Sequence, residues 1–150
     1  MKKILFLFLI TFYNLSYSFV IDKPDPSLTP GAYKQEANES FCVVGFSKTI
    51  RKVSEKTKQK IYNRYNVPLE DRGGYVTKID HLVPLQFYGT NEESNLWPHY
   101  FNTEYGVLKK NKLENLLKKK ICNGEITQIE AIKCIINDWT LCYRKYYVNK

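Results

Sequence analysis

The sequence predicts a single α+β domain, in which a β-hairpin and the helix after it are flanked by two more helices. Residues 75–85 are rich in β-branched side chains, and a turn near Gly89 can return the chain to residues 95–97, so this stretch is typical of a hairpin. Residues 104–121 and 127–146 carry apolar side chains at helical spacing. A chain of 150 residues has room for one such domain.

The helix that precedes the hairpin is expected at residues 52–65. Lysines there separate the apolar residues Val53, Ile61 and Tyr65, which is an amphipathic pattern. Asn66 is suited to the C-terminal cap of this helix, because asparagine tolerates the left-handed conformation that such caps adopt.

The two helices after the hairpin differ in character. The first has a nearly all-lysine face opposite an apolar face made of Leu113, Leu116, Leu117 and Ile121. The second begins at a capping box formed by Thr127 and Glu130. Its apolar stripe is predicted to lie in the core and consists of Ile129, Ile132, Ile136, Trp139, Tyr143 and Tyr146.

Residues 1–18 are predicted to be a signal peptide. Two lysines precede an apolar run at residues 4–12, and residues 16–18 place small side chains where cleavage requires them, so the mature chain would begin at Phe19. An uncleaved membrane anchor is the alternative. The run is shorter than the ~20 residues that span a bilayer, which favours cleavage.

Export determines how the rest of the chain is interpreted. We expect a periplasmic or secreted monomer with no stable membrane association after cleavage. Residues 19–40 contain several prolines and polar side chains and are predicted to form an extended lead-in, and residues 41–150 are predicted to form the folded domain.

The four cysteines lack the close spacing of a zinc site, which favours disulfides in an oxidising compartment. Cys134 and Cys142 fall on one predicted helix, eight residues apart. A continuous helix would hold their backbones about 12 Å apart, beyond the ~7 Å limit for a bridge, so they are expected to be buried as small apolar side chains. Cys42 and Cys122 are therefore the expected disulfide.

The charge balance favours a polyanionic partner. Removing the two lysines of the signal peptide leaves 21 basic against 15 acidic residues, a net charge of +6. DNA or RNA is the obvious polyanion, although a solvated lysine-rich surface would have the same composition.

Polar residues around the hairpin carry a further pattern. Asp80-His81 stands in the β-branched run, Asn95 follows His81 by 14 residues at the start of Asn-Leu-Trp-Pro, and residues 110–115 read Lys-Asn-Lys-Leu-Glu-Asn. This order resembles that of small secreted bacterial HNH endonucleases. Further resemblance lies at residues 28–31, 51–54 and 138–139 and at Cys42 and Cys122, so that it covers most of the mature chain. It implies a ββα-metal core and hydrolysis of phosphodiester bonds.

The resemblance also assigns roles. Asp80 would bind a divalent cation, most simply Mg²⁺, since hard cations prefer oxygen ligands. His81 would be the general base, because a neutral imidazole can accept a proton from water near neutral pH. Asn95 would hold the loop that orients His81. A second metal ligand is expected on the next helix, where the family has Asp but this chain has Asn111, and Glu114 one turn later is the alternative.

The lysines of that helix would bind phosphates as point charges without selecting a base; they are Lys109, Lys110, Lys112, Lys118, Lys119 and Lys120. His99 stands where the family more often has Gln and is interpreted as incidental, and Tyr88 stands where a glycine is expected. The leading hypothesis is a metal-dependent nuclease without sequence specificity. The alternatives are a non-catalytic basic nucleic-acid-binding protein with a degenerate site, kept open by Asn111, and an effector delivered to competing cells.

Overall fold

The computed structural model describes residues 21–34, 42–43 and 45–148, which form an α+β fold. The predicted fold class is thereby confirmed. The predicted signal peptide, the predicted first mature residue Phe19 and residues 35–41 lie outside the described residues. The helices and strands are, in chain order, α1 (Phe46–Ile50), α2 (Glu55–Arg64), β1 (Thr77–His81), β2 (Leu96–Tyr100), α3 (Val107–Cys122) and α4 (Gln128–Tyr147).

The predicted hairpin is present as the antiparallel pair β1 and β2, with Asp80 opposite Trp97 and His81 opposite Leu96. β1 is shorter than the β-branched run that predicted it. Pro84, which has no backbone N–H for a ladder bond, precedes a short 3₁₀ turn at Leu85–Phe87. The hairpin therefore ends close to the Asp80-His81 pair.

The connection between the strands makes a close backbone approach at Gly89. A Cβ at this position would lie 1.9 Å from the carbonyl oxygen of Val83, so only glycine fits. Tyr88, where a second glycine was expected, adopts the left-handed conformation with φ 61°. The turn is thus built with one glycine and one strained tyrosine.

The core lies where α2, α3 and α4 pack on the hairpin. The largest fully buried apolar side chains are Ile61, Phe87, Leu96, Trp97, Leu113, Leu117, Ile132, Ile135 and Trp139. Ser54 caps the N-terminus of α2, and Asn66 follows its end with φ 52°, as the cap prediction requires. The capping box of Thr127 and Glu130 at the start of α4 is also confirmed.

Helix α4 is broken at Asp138, whose backbone is extended (φ −170°, ψ 104°). The Asp138 Oδ1 atom accepts hydrogen bonds from the backbone N–H of Thr140 (2.9 Å) and Leu141 (3.3 Å), so this residue acts as the N-cap of the second half of the helix. Its Oδ2 atom lies 2.9 Å from Lys23 Nζ. The break divides α4 into two segments that point in different directions.

The break overturns the prediction for Cys134 and Cys142. Their Cα atoms are 5.5 Å apart and the two residues form a disulfide, because the helix between them is not continuous. The predicted apolar stripe of α4 is buried only in part: Ile132 and Trp139 lie in the core, but Ile129 is 36 % exposed.

The predicted bridge between Cys42 and Cys122 is confirmed, with a Cα–Cα distance of 5.9 Å. Two disulfides are typical of proteins that fold in an oxidising compartment, in agreement with the expected export. None of the helices in the described part of the chain is long and apolar enough to cross a bilayer.

The described part of the lead-in packs against the hairpin. Thr29 Oγ1 donates to the carbonyl oxygen of Leu96 (2.9 Å) and accepts from the hydroxyl of Tyr65 (2.8 Å). Tyr33 forms an isolated bridge with Gly89. The segment also contains a turn, in which the backbone N–H groups of Leu28 (3.1 Å) and Thr29 (2.8 Å) donate to the carbonyl oxygen of Asp25. The contacts with the hairpin and its connecting loop attach the segment to the folded domain.

Candidate active site

The end of β1 and one face of α3 bring together Asp80, His81, Lys110 and Glu114, and His99 joins them from β2. Asp80 and His81 are both buried, with 4 % and 2 % of their surface exposed. Successive strand residues point to opposite faces, so the two side chains serve different surroundings although they are adjacent in sequence.

Asp80 lies close to two lysine ammonium groups and to the imidazole of His99. Its Oδ1 atom lies 3.1 Å from Lys78 Nζ, and its Oδ2 atom lies 3.0 Å from His99 Nδ1 and 3.6 Å from Lys110 Nζ. Burial disfavours the charged carboxylate, but the charges of Lys110 and Lys78 outweigh burial and hold the pKa of Asp80 well below its usual value. Asp80 is therefore a carboxylate across the physiological pH range.

Lys110 is fully buried between the hairpin and α3. Its ammonium group donates to the carbonyl oxygen of His81 (2.7 Å) and to Glu114 Oε1. Burial favours the neutral amine, but the carboxylates of Asp80 and Glu114 more than offset this and raise the pKa of Lys110. The side chain is a charged internal cation and does not belong to the exposed lysine surface predicted for α3.

The burial of Lys110 has a signal in the sequence. Lys110 stands three and seven residues before Leu113 and Leu117, which are both fully buried, so it falls on the apolar face of α3. A lysine inside an apolar stripe requires an acidic partner, because a buried charge is costly unless it is paired. The sequence pattern shows that Lys110 needs an acidic partner, but it does not identify Asp80 and Glu114 as the partners.

The structure distinguishes the two candidate residues on α3. Glu114 lies one helical turn after Lys110 on the same face and shares its ammonium group with Asp80. Asn111 lies about 100° further round the helix, and no hydrogen bond connects it to the other site residues in the described chain. Glu114, and not Asn111, is brought together with Asp80.

His81 is oriented by Asn91, which the sequence analysis did not single out. Asn91 Nδ2 donates to the carbonyl oxygen of Ile50 (2.8 Å), and its Oδ1 accepts from the backbone N–H of Lys52 (3.3 Å). The Oδ1 atom therefore faces His81 Nε2, at 3.1 Å, as an acceptor. Nε2 must carry the hydrogen, and in the neutral ring the lone pair lies on Nδ1.

The Nδ1 atom of His81 is buried and has no hydrogen-bond partner among the described residues. Burial lowers the pKa of His81 to about 4, and the positive charge of Arg51 acts in the same direction. His81 is thus neutral at pH 7 with an unshared lone pair on Nδ1, which is the protonation state that a general base requires, and its low pKa makes it a weaker base than a free imidazole.

His99 was interpreted as incidental, but the structure places it in the site. Its Nε2 lies 2.9 Å from the carbonyl oxygen of Tyr105, and its Nδ1 lies 3.0 Å from Asp80 Oδ2. The imidazole thus connects Asp80 to the backbone of Tyr105 through its two ring nitrogens. The ring stacks on Trp97 with centroids 4.2 Å apart. Its place opposite Lys78, two residues from Asp80, follows from the hairpin register.

Asn95 is fully buried and joins both ends of the loop that follows β1. Its Oδ1 accepts from the backbone N–H of Val83 (2.8 Å), and its Nδ2 donates to the carbonyl oxygens of Val83 (3.0 Å) and Thr90 (2.9 Å). These bonds hold the loop between Val83 and Thr90, so the geometry agrees with the loop-holding role expected of Asn95.

The other lysines of α3 lie at or near its solvent-facing sides. Lys109 Nζ stands 5.1 Å from the ring centre of Tyr105, and Lys120 forms an ion pair of 2.5 Å with Glu125. Lys112 and Lys119 are exposed, and Lys118 Nζ lies 3.4 Å from the carbonyl oxygen of Val43. They remain available to an external anion, unlike Lys110.

The fit of this cluster to a divalent cation depends on Lys110. The oxygens of Asp80, Glu114 and the His81 carbonyl are of the type that Mg²⁺ prefers. The Lys110 ammonium group already occupies the point where they converge. Among the described residues, no group of three His, Cys, Asp or Glu side chains could hold a metal. In this arrangement the residues do not fit a divalent cation, because the ammonium group competes for the same oxygens.

The low pKa of His81 predicts a loss of stability in mild acid. Between the ordinary value of 6.5 and about 4, the unfolded chain binds a proton that the folded protein does not. The free energy of unfolding should therefore fall by about 3 kcal/mol as the pH falls through this window. Urea unfolding at pH 7, 5.5 and 4 measures this loss, and His81→Gln should show a shallower fall. Parallel curves for the two proteins would contradict the prediction.

Comparisons of the chain with protein-family models, with curated proteins and with solved structures found no match.

Proposed function

We propose that this protein is an exported nuclease that hydrolyses phosphodiester bonds of DNA or RNA without sequence specificity. The observation that carries the proposal is the state of His81: a neutral imidazole, oriented by Asn91, with its lone pair on a nitrogen that no described residue engages. The resemblance to HNH endonucleases and the basic net charge of the chain support the same class of substrate.

In this proposal His81 accepts the proton of the attacking water at Nδ1, and the water must reach this buried nitrogen when the substrate binds. Asn91 keeps the ring in the required tautomer, and Asn95 holds the loop that follows β1. The two carboxylates of the site would not repel the developing negative charge on the phosphate, because Lys78 and Lys110 balance their charge. A divalent cation, Mg²⁺ by the resemblance, would have to compete with Lys110.

A non-catalytic nucleic-acid-binding protein is the second candidate. One observation favours it: the ammonium group of Lys110 satisfies Asp80 and Glu114 internally, as expected of a site that no longer needs an external cation. The fold, the basic charge and the disulfides would be retained, and only turnover would be missing.

Incubation of plasmid DNA and of RNA with the oxidised protein lacking residues 1–18 separates the candidates. The reactions should contain either EDTA or one of Mg²⁺, Mn²⁺, Ca²⁺, Ni²⁺ and Zn²⁺. Cleavage by the wild-type protein supports the nuclease, and cleavage in EDTA would show that no divalent cation is needed. Binding without cleavage under every condition would overturn the enzyme and leave the binding protein.

A further inference from the structure

A groove of about 560 Å³ lies between the N-terminal half of α2 and the strand β1. Four basic side chains and one acidic side chain line it: Arg51, Lys58, Arg72, Lys78 and Glu55. A concave surface with this excess of one charge concentrates anions more strongly than scattered charges on a convex surface. None of the residues predicted from the sequence to bind nucleic acid lies in this groove.

The groove is aligned with His81. Thr77 and Ile79 contribute to its lining, and they point to the same face of β1 as His81, because alternate residues of a strand share a face. Because Thr77, Ile79 and His81 are buried, a linear ligand would lie on the exposed side chains of the groove, and among these Arg51 is the one beside His81.

Arg51 is held beside His81 by the backbone on either side of it. The carbonyl of Ile50 and the N–H of Lys52 are both hydrogen-bonded to Asn91, the residue that also bonds His81. The Arg51 side chain is exposed and has no hydrogen-bond or ion-pair partner among the described residues. An unpaired guanidinium group at this place can bind a phosphate in two-point fashion.

The other cations of the groove differ in how strongly they are already bound to other protein groups. Lys78 is 30 % exposed and touches Asp80 at 3.1 Å, so it connects the groove to the site. Lys58 pairs with Glu55 at 2.6 Å, but this is a surface pair of low strength, and the ammonium group can exchange partners. The guanidinium group of Arg72 donates hydrogen bonds of 3.0 and 2.9 Å to the carbonyl oxygen of Val67, so it forms a fixed part of the groove lining.

We propose that this groove binds the phosphodiester backbone of a nucleic-acid strand and leads it to His81, with Arg51 as the principal phosphate ligand and Lys58 as a second. The inference rests on the proposed nucleic-acid substrate and deepens it, since it assigns binding to the groove rather than to the lysines at the C-terminal end of α3. It holds for an enzyme and for a binding protein alike.

Binding of fluorescein-labelled single-stranded and duplex 12-mers, measured by anisotropy over a series of salt concentrations, tests the groove. All variants are made in the His81→Ala background, in which cleavage is expected to be at least ~10²-fold slower. Arg51→Gln combined with Lys58→Gln should weaken binding and flatten the slope of log affinity against log salt by about 0.9 per lost contact on duplex and about 0.7 on single strands. Both residues are at the surface, so folding should be preserved.

Lys133→Gln, at an exposed lysine of α4 outside the groove, controls for the loss of one positive charge, half of the charge removed by the double variant of the groove. Changing Lys118, Lys119 and Lys120 together to Gln tests the competing surface. A flattened slope confined to the groove variants supports the proposal. Arg51→Lys keeps the positive charge but lacks the two-point geometry of the guanidinium group, so binding that is weakened less than in Arg51→Gln also supports it. Slopes that change only in the α3 triple variant, or equally in Lys133→Gln, overturn it.

The outcome for the groove is separable from the outcome for the nuclease. Unchanged slopes in the groove variants of a protein whose wild-type form cleaves plasmid would overturn the groove alone. Groove-dependent binding by a wild-type protein that cleaves nothing would support the groove and overturn the enzyme. Wild-type protein that binds neither oligonucleotide overturns both.

Discussion

His81→Ala is expected to lower the rate of DNA cleavage by ~10²-fold or more while leaving nucleic-acid affinity nearly unchanged. The reason is that different groups have the two roles. His81 offers a lone pair for proton transfer, whereas the cations around it attract the phosphate. Proton transfer by a positioned side chain typically contributes 10²–10⁴-fold. Single-turnover cleavage of a labelled duplex gives the rate, and anisotropy in the absence of cleavage gives the affinity.

His81→Gln is the matched variant for this experiment. Glutamine retains a donor for Asn91 and similar bulk, but it cannot accept a proton near neutral pH. Its rate should be as low as that of His81→Ala, and its circular dichroism spectrum should match that of the wild type. A glutamine variant that keeps more than about a tenth of the wild-type rate would show that His81 has only a structural role.

Lys110→Met is expected to destabilise the folded protein by roughly 3–5 kcal/mol in EDTA at pH 7. The substitution preserves the length of the side chain but leaves the carboxylates of Asp80 and Glu114 without their shared ammonium group, and breaking a buried ion pair on one side carries a cost of this size. Chemical unfolding in urea measures the change.

The same variant reports on the cation. With the ammonium group removed, the oxygens that met it become available, so Mn²⁺ should stabilise Lys110→Met more than it stabilises the wild type. Lys112→Met, at an exposed position two residues along α3, should change stability by no more than about 0.5 kcal/mol and should not respond to Mn²⁺. Equal responses of wild type and Lys110→Met would contradict competition between Lys110 and the metal.

The local features of the fold could be predicted because their causes are local. The capping box at Thr127 brings together groups three residues apart, and the hairpin follows from β-branched residues on both sides of a glycine turn. The cap at Asn66 depends on the conformational tolerance of one residue. Such features need no knowledge of what packs against them.

The site was predictable in its chemistry and less so in its composition. Asp80, His81 and Asn95 are recognisable by residue type and order, and the structure places all three at the same end of the hairpin. Asn91 and His99 were missed because their roles come from partners distant in the chain: Ile50 for Asn91, and Asp80 and Tyr105 for His99.

By itself, the sequence determined the fold class, the hairpin and the helix caps. The bridge between Cys42 and Cys122 was predicted correctly, although the prediction that Cys134 and Cys142 cannot pair was wrong. Only the tertiary structure decided that Lys110 is an internal cation and that Cys134 pairs with Cys142. The physical reason is the same in both cases. A buried charge is tolerated only where folding brings carboxylates to it, and α4 departs from helical periodicity at Asp138, which caps its second half and binds Lys23 across the fold. Neither the carboxylate partners of Lys110 nor the break at Asp138 can be inferred from the spacing of neighbouring residues.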